Sequence, residues 1–224
     1  RYGLNRLRSF DPALLMRILS ISCFTMLQYF LSMATWFIFF VAVERLGQRE
    51  LAIANIVRSI YIVMLIPVNA LATTNSLVSN AIGAGGIEHV MPLINKIGRF
   101  SFLIMLGLVI VTALFPQALL SVYTNEAALI NESVPSVYVI CAAMLIASVA
   151  NVVFNGISGT GNTQAALMLE AITIAIYGSY IIFIGMWVKA PIEWCFTIEI
   201  LYYTLLLATS YIYFKKAKWQ NKKI

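Results

Sequence analysis

Charged positions punctuate this chain, and between them run long stretches with no Asp, Glu, Lys or Arg. Such runs lie between Arg17 and Glu44, Arg58 and Glu88, Arg99 and Glu126, Glu132 and Glu170, Glu170 and Lys189, and Glu199 and Lys215. A membrane-crossing helix needs roughly 20 apolar residues. The run after Glu132 is too long for one crossing and is interrupted by Gly156, Gly159 and Gly161. The pattern predicts six helices at about 13–43, 50–80, 92–115, 134–157, 163–188 and 192–214, an all-α membrane bundle. A linker at about 1–12 and a basic tail at about 215–224 flank it.

The prolines agree with these bounds. Pro12, Pro92, Pro135 and Pro191 fall at helix starts, where a missing N–H costs little, and Pro116 falls just past an end. Pro67 alone falls mid-helix, where it is expected to kink the second helix and free backbone carbonyls.

Composition confirms the solvent. Hydrophobic residues make up 61% of the chain and charged ones 11%, outside the range of soluble domains. Cys23, Cys141 and Cys195 stand singly in apolar stretches, so they read as small hydrophobes rather than a disulfide framework or metal site. The net charge of +6 does not mark a nucleic-acid surface, because the basic residues gather at helix ends. Arg1, Arg6, Arg8, Arg17, Lys96, Arg99 and the tail lysines fall on one side of the bundle; Arg45, Arg49 and Lys189 fall on the other. Lys and Arg in short loops face the cytoplasm. Both ends are therefore expected to be cytoplasmic, with external loops near residues 44–50, 117–132 and 189–192.

Three of the predicted helices carry a polar stripe at spacings of three, four or seven, which fall on one face. The first helix has Thr25, Gln28, Ser32 and Thr35; the second has Asn69, Thr73, Ser76 and Asn80; the fourth has Ser148, Asn151, Asn155 and Ser158. Hydrogen bonding between helices is one reading of such stripes. A water-filled cavity is the other, with Gln28, Ser32, Asn69, Thr73, Asn151 and Asn155 as candidate lining. Ionisable groups inside spans are functional candidates by default. Glu170 has no basic residue at matching depth and is the candidate for taking up and releasing a proton; anchoring at the cytoplasmic interface is its alternative. Arg58 and Glu199 lie roughly 10–12 Å from the outer surface at 1.5 Å per residue. They are a candidate structural ion pair between the second and sixth helices, with separate snorkelling as the alternative.

The glycine-rich stretch Gly156-Ile157-Ser158-Gly159-Thr160-Gly161 has three readings. A phosphate loop follows a strand and uses a lysine, and neither is present. A Gly-x-Ser-Gly match in a six-helix protein also suits an intramembrane serine protease with Ser158 as nucleophile. Its base would be the single histidine, His89, which precedes the serine instead of following it on a later helix. The third reading is a short cytoplasmic turn.

Taken with a second glycine cluster, that turn points to a family. "RLGQRELAIANI" followed by "IPVNALATTNSLVSNAIGAGG" resembles the multidrug and toxic compound extrusion (MATE) family, where a Leu-Gly-x-x-x-Leu-Ala turn leads into a helix closed by Gly-x-Gly. "GISGTGNT" is similar to the family's Arg-Gly-x-Gly-x-Thr turn, with Ser158 in the arginine's place, and "RLRSFDPALLMRIL" resembles the linker that opens its second lobe. The resemblance implies two six-helix lobes related by an axis along the membrane normal, of which this chain is the C-terminal one and the N-terminal lobe is a missing partner. It further implies a non-enzymatic antiporter of a bacterial plasma (inner) membrane, exporting small organic or cationic compounds by alternating access. Coupling would come from a proton or sodium gradient, with no cofactor, metal or nucleic acid. Flipping of a lipid-linked oligosaccharide is the rival within transport. Many members carry a membrane-embedded acid where this chain has Ser32, and some carry another where it has Ala147; neither residue ionises. The resemblance thus leaves coupling through those positions to other residues or to the other lobe.

Overall fold

A computed structural model describes residues 12–217 and Trp219. The expected linker before Pro12 and most of the basic tail lie outside the described residues. The described chain is helical, and six of its segments are long and apolar enough to cross a membrane: Ile18–Glu44, Gln48–Gly83, Ile87–Leu114, Ala127–Gly159, Thr163–Val188 and Ile192–Lys216. These are the six crossings expected from the uncharged runs. An even number returns the chain to its starting side. Below, the end of the bundle holding the first and last described residues is the terminal end, and the opposite one is the far end.

The helices are α1 (Pro12–Glu44), α2 (Gln48–Ala70), α3 (Thr74–Gly83), α4 (Val90–Leu114), α5 (Pro116–Leu120), α6 (Ala127–Gly159), α7 (Thr163–Ile181) and α8 (Ile192–Lys216). Three details depart from expectation. The second crossing is two helices, α2 and α3, joined by a 3₁₀ turn at Leu71–Thr73. Pro67 lies inside α2 and deprives the Val63 carbonyl of its helical partner. One turn later the hydroxyls of Thr73 and Thr74 donate to the carbonyls of Ala70 and Leu71, at 3.1 and 2.8 Å, and the backbone tightens there.

The fourth crossing begins at Ala127, earlier than expected, so Pro135 lies within α6 instead of at its start. Its 33 residues span about 50 Å, against about 30 Å of hydrocarbon, so an acidic residue near one end need not mark a loop. Glu132 sits on that projecting end and accepts a two-pronged bond from Arg49 of α2, Nε–Oε2 2.7 Å and Nη2–Oε1 2.9 Å. The expected 117–132 loop shrinks to α5 and a short turn. The fifth crossing leaves the α-helix at Ile182 and continues as a π-helix to Val188. It stops at Lys189, whose φ of 51° is left-handed.

α6 is the central helix, packed against α4, α2, α3 and α8, while α1 lies along α7. Lipid offers no hydrophobic drive between helices, so close approach through small residues does the work. A Cβ on Gly156 would lie 2.7 Å from Ile94 Cδ1 of α4, and one on Gly159 would lie 2.6 Å from the Asn75 carbonyl oxygen of α3. Ser79 of α3 donates to the Gly159 carbonyl at 2.8 Å. The glycines therefore seat α3 and α4 on α6. Gly161, at φ 76°, turns the chain into α7, whose first turn is capped by Asn162 through the Ala165 N–H.

Candidate functional site

Five helices, α1, α2, α6, α7 and α8, line a partly open cavity of about 190 Å³. Five of the six residues singled out from the stripes line it: Gln28 and Ser32 from α1, Asn69 from α2, and Asn151 and Asn155 from α6. Thr73 does not. It sits on the 3₁₀ turn, whose tighter winding takes it off the Asn69 face, and it is exposed with its hydroxyl on Ala70. Asn151 and Asn155 each use one amide hydrogen on a carbonyl of their own helix, at Ala147 (3.0 Å) and Asn151 (2.8 Å). Ser148 turns back onto Leu145.

Two carboxyls face the same cavity. Glu170 of α7 is 2% exposed and accepts a 2.5 Å hydrogen bond from the Tyr202 hydroxyl of α8. It points into the bundle, not toward Lys96 or Arg99. Glu199 of α8 is 3% exposed, and its two oxygens accept from different tyrosines: Oε1 from Tyr177 at 3.2 Å and Oε2 from Tyr61 at 3.4 Å. Tyr61 and Tyr203 hydroxyls lie 2.6 Å apart. A phenol carries one hydrogen, so when Tyr61 donates to Glu199 it must accept from Tyr203. The directional chain runs from Tyr203 through Tyr61 to Glu199 and ties α2 to α8, and the bond from Tyr177 adds α7.

Arg58 does not pair with Glu199. Its guanidinium lies over the rings of Trp36 (5.4 Å) and Phe40 (5.1 Å) on α1. One turn along α2, Tyr61 takes the place beside Glu199 that the ion pair would have needed. Trp36, its ring 5.0 Å from that of Tyr61 and tilted 58° to it, stands in the cavity wall in front of the guanidinium. No Lys, Arg or His lines the cavity among the described residues.

The positions expected to differ from the resembled family fall differently. Ser32 is in the cavity wall and Ala147 is fully buried in the core. Both cavity acids come instead from the last two crossings. The tyrosines were not anticipated from sequence, although "EILYY" places Tyr202 and Tyr203 three and four residues after Glu199, on its helical face. His89 is exposed beside Glu88, Nε2–Oε1 3.5 Å, which lends the nucleophilic reading of Ser158 no support. No group of three or more metal-ligating side chains is found among the described residues.

The MatE family model matches residues 22–184. Several solved structures share the fold at low identity. An outward-facing multidrug resistance MATE family transporter of the MOP superfamily is 14% identical with TM-score 0.85, over 94% of this chain and 48% of that one. A MATE crystallised with MaD3S is 14% identical with TM-score 0.82, over 91% and 46%. A MOP superfamily transporter from Pyrococcus furiosus, described as having a binding pocket of reverse polarity, is 16% identical with TM-score 0.74, over 93% and 46%. The chain thus spans about half the length of the solved structures it matches. No curated protein matches it significantly.

Proposed function

The chain belongs to the MatE family, and on that premise we propose that it is one six-helix lobe of a secondary active exporter. The lobe supplies one wall of a central cavity, and a second lobe supplies the other. The cargo is a small organic compound, cationic or amphiphilic, and it moves by alternating access against a proton or sodium gradient.

One observation carries this reading. Two buried carboxyls, Glu170 and Glu199, face a shared cavity whose described lining contains no basic residue. Charged groups at that depth are costly and are kept where they meet cargo, ions or protons. With no protein cation in the wall, a cationic cargo, a coupling cation or a proton is the natural counter-charge. The aromatic wall of Trp36, Tyr61, Tyr177, Tyr202 and Tyr203 offers flat apolar and π surface to an organic cation. Tyrosine donors hold each carboxyl in place when the counter-charge leaves. The same lining is ill suited to an anionic lipid-linked sugar.

The test is flux in proteoliposomes. The two-lobe protein containing this chain should accumulate or expel a cationic dye when a proton or sodium gradient is imposed, and the lobe alone should not. A two-lobe protein that moves no dye under either gradient removes the exporter reading.

A further inference from the structure

A groove of about 510 Å³, sharing no lining residue with the cargo cavity, runs between α4 and α6. Toward the terminal end of the bundle its polar groups, Asn95 and Arg99, stand beside the apolar Ile94 and Val153. Its apolar end, deeper in the span, is Phe102, Leu103 and Val149. From residue 95 to 103 the wall is about 12 Å long at 1.5 Å per residue, and it lies along the helix axes. Gly98 keeps the groove deep, because α4 presents no side chain there and the nearest α6 atom to an added Cβ is Val149 Cγ1 at 3.8 Å.

We infer that this groove holds an anionic phospholipid, with the headgroup on Arg99 and Lys96 and one acyl chain along Phe102, Leu103 and Val149. Three features select that occupant. The wall loses its polar groups in the direction a lipid would lie. Arg99 and Lys96 are exposed and form no ion pair with any described residue. Their end of the bundle also carries the exposed Lys215 and Lys216, and its described acids are the exposed Glu88 and the buried Glu170, which is held by Tyr202, so its exposed charge is complementary to an anionic headgroup. A neutral lipid would satisfy the apolar part of the groove and leave the charges unmatched.

The experiment is native mass spectrometry of the protein released from mixed vesicles of phosphatidylglycerol and phosphatidylcholine. Phosphatidylglycerol should be retained at one lipid per chain, in preference to phosphatidylcholine. A basic residue at a membrane surface contributes about a fivefold preference for anionic lipid. Arg99→Gln should therefore reduce the retained phosphatidylglycerol about fivefold and Lys96→Gln/Arg99→Gln further, with Arg99→Lys restoring most of it. Equal retention of the two lipids by the wild-type protein overturns the inference without needing any variant. So does unchanged retention in the double variant. Neither outcome bears on dye flux, so this site and the exporter reading fail separately.

Discussion

The Tyr202 hydroxyl and the Glu170 carboxylate meet at 2.5 Å inside the bundle, joining the last two crossings through a group that sequence reasoning placed on its own. Removing the phenol leaves a buried acceptor without its donor, at a cost of about 1–3 kcal/mol. Tyr202→Phe should lower the thermal midpoint of the protein, and Glu170→Gln in the same background should recover part of the loss. The double-mutant cycle is expected to give a coupling of about 1 kcal/mol or more. Additive effects would mean that the two residues do not depend on each other.

Gly159 should be the least replaceable glycine. An added Cβ meets the backbone oxygen of Asn75 at 2.6 Å and Val78 Cβ at 2.8 Å, neither of which can swing away. Gly159→Ala should cost about 1–3 kcal/mol by forcing α3 off α6. At Gly98 the same methyl meets only ordinary contacts at 3.8 and 4.0 Å. Thermal unfolding of the two variants side by side checks this, and Ser158→Ala should match the wild type.

Arg49 and Glu132 form the best-aligned ion pair among the described residues, yet both side chains are about half exposed, at 50% and 46%. Exposed pairs contribute little, because solvent screens them and two long side chains must be ordered. Arg49→Ala and Glu132→Ala should each leave the thermal midpoint close to that of the wild type. Their coupling in a double-mutant cycle should fade as salt rises.

Topology is testable with single cysteines in a background lacking Cys23, Cys141 and Cys195. Cysteines at Gln48 and Asn125, both at the far end, should react with an impermeant thiol reagent from outside the cell. A cysteine at Gly86, at the terminal end, should not. The opposite labelling pattern would reverse the orientation inferred from the basic residues.

What could be read in the sequence follows from how local each feature is. Six crossings were legible because charges are excluded from hydrocarbon, so their absence marks a span. The stripes of Gln28 and Ser32, and of Asn151 and Asn155, were legible because residues four apart share a face. The Asn69–Thr73 pair obeys the same rule and fails, because a 3₁₀ turn changes the period between them. The Glu132 boundary failed for another reason: α6 is longer than the membrane is thick, so its charged end is still helix. Contacts between distant elements left no trace in spacing. Tyr61 and Glu199 are 138 positions apart, and nothing near Arg58 reveals that it turns to Trp36 and Phe40 while its neighbour Tyr61 meets the acid. Tyrosines in apolar helices ordinarily read as interfacial anchors. Only the packed bundle turns four of them inward, three onto the two carboxyls and Tyr203 onto Tyr61.

Whether the two cavity acids drive export is decided by gradient-driven dye flux in proteoliposomes carrying the two-lobe protein with Glu170→Gln, Glu199→Gln, or both. Glutamine keeps the size of each acid and one acceptor oxygen, and removes its ability to ionise. Each single variant should incorporate normally and lose at least about tenfold in flux, equivalent to about 1.4 kcal/mol, and the double variant should be inactive. Wild-type flux from the double variant, at equal protein and under the same gradient, would mean that neither acid takes part in export.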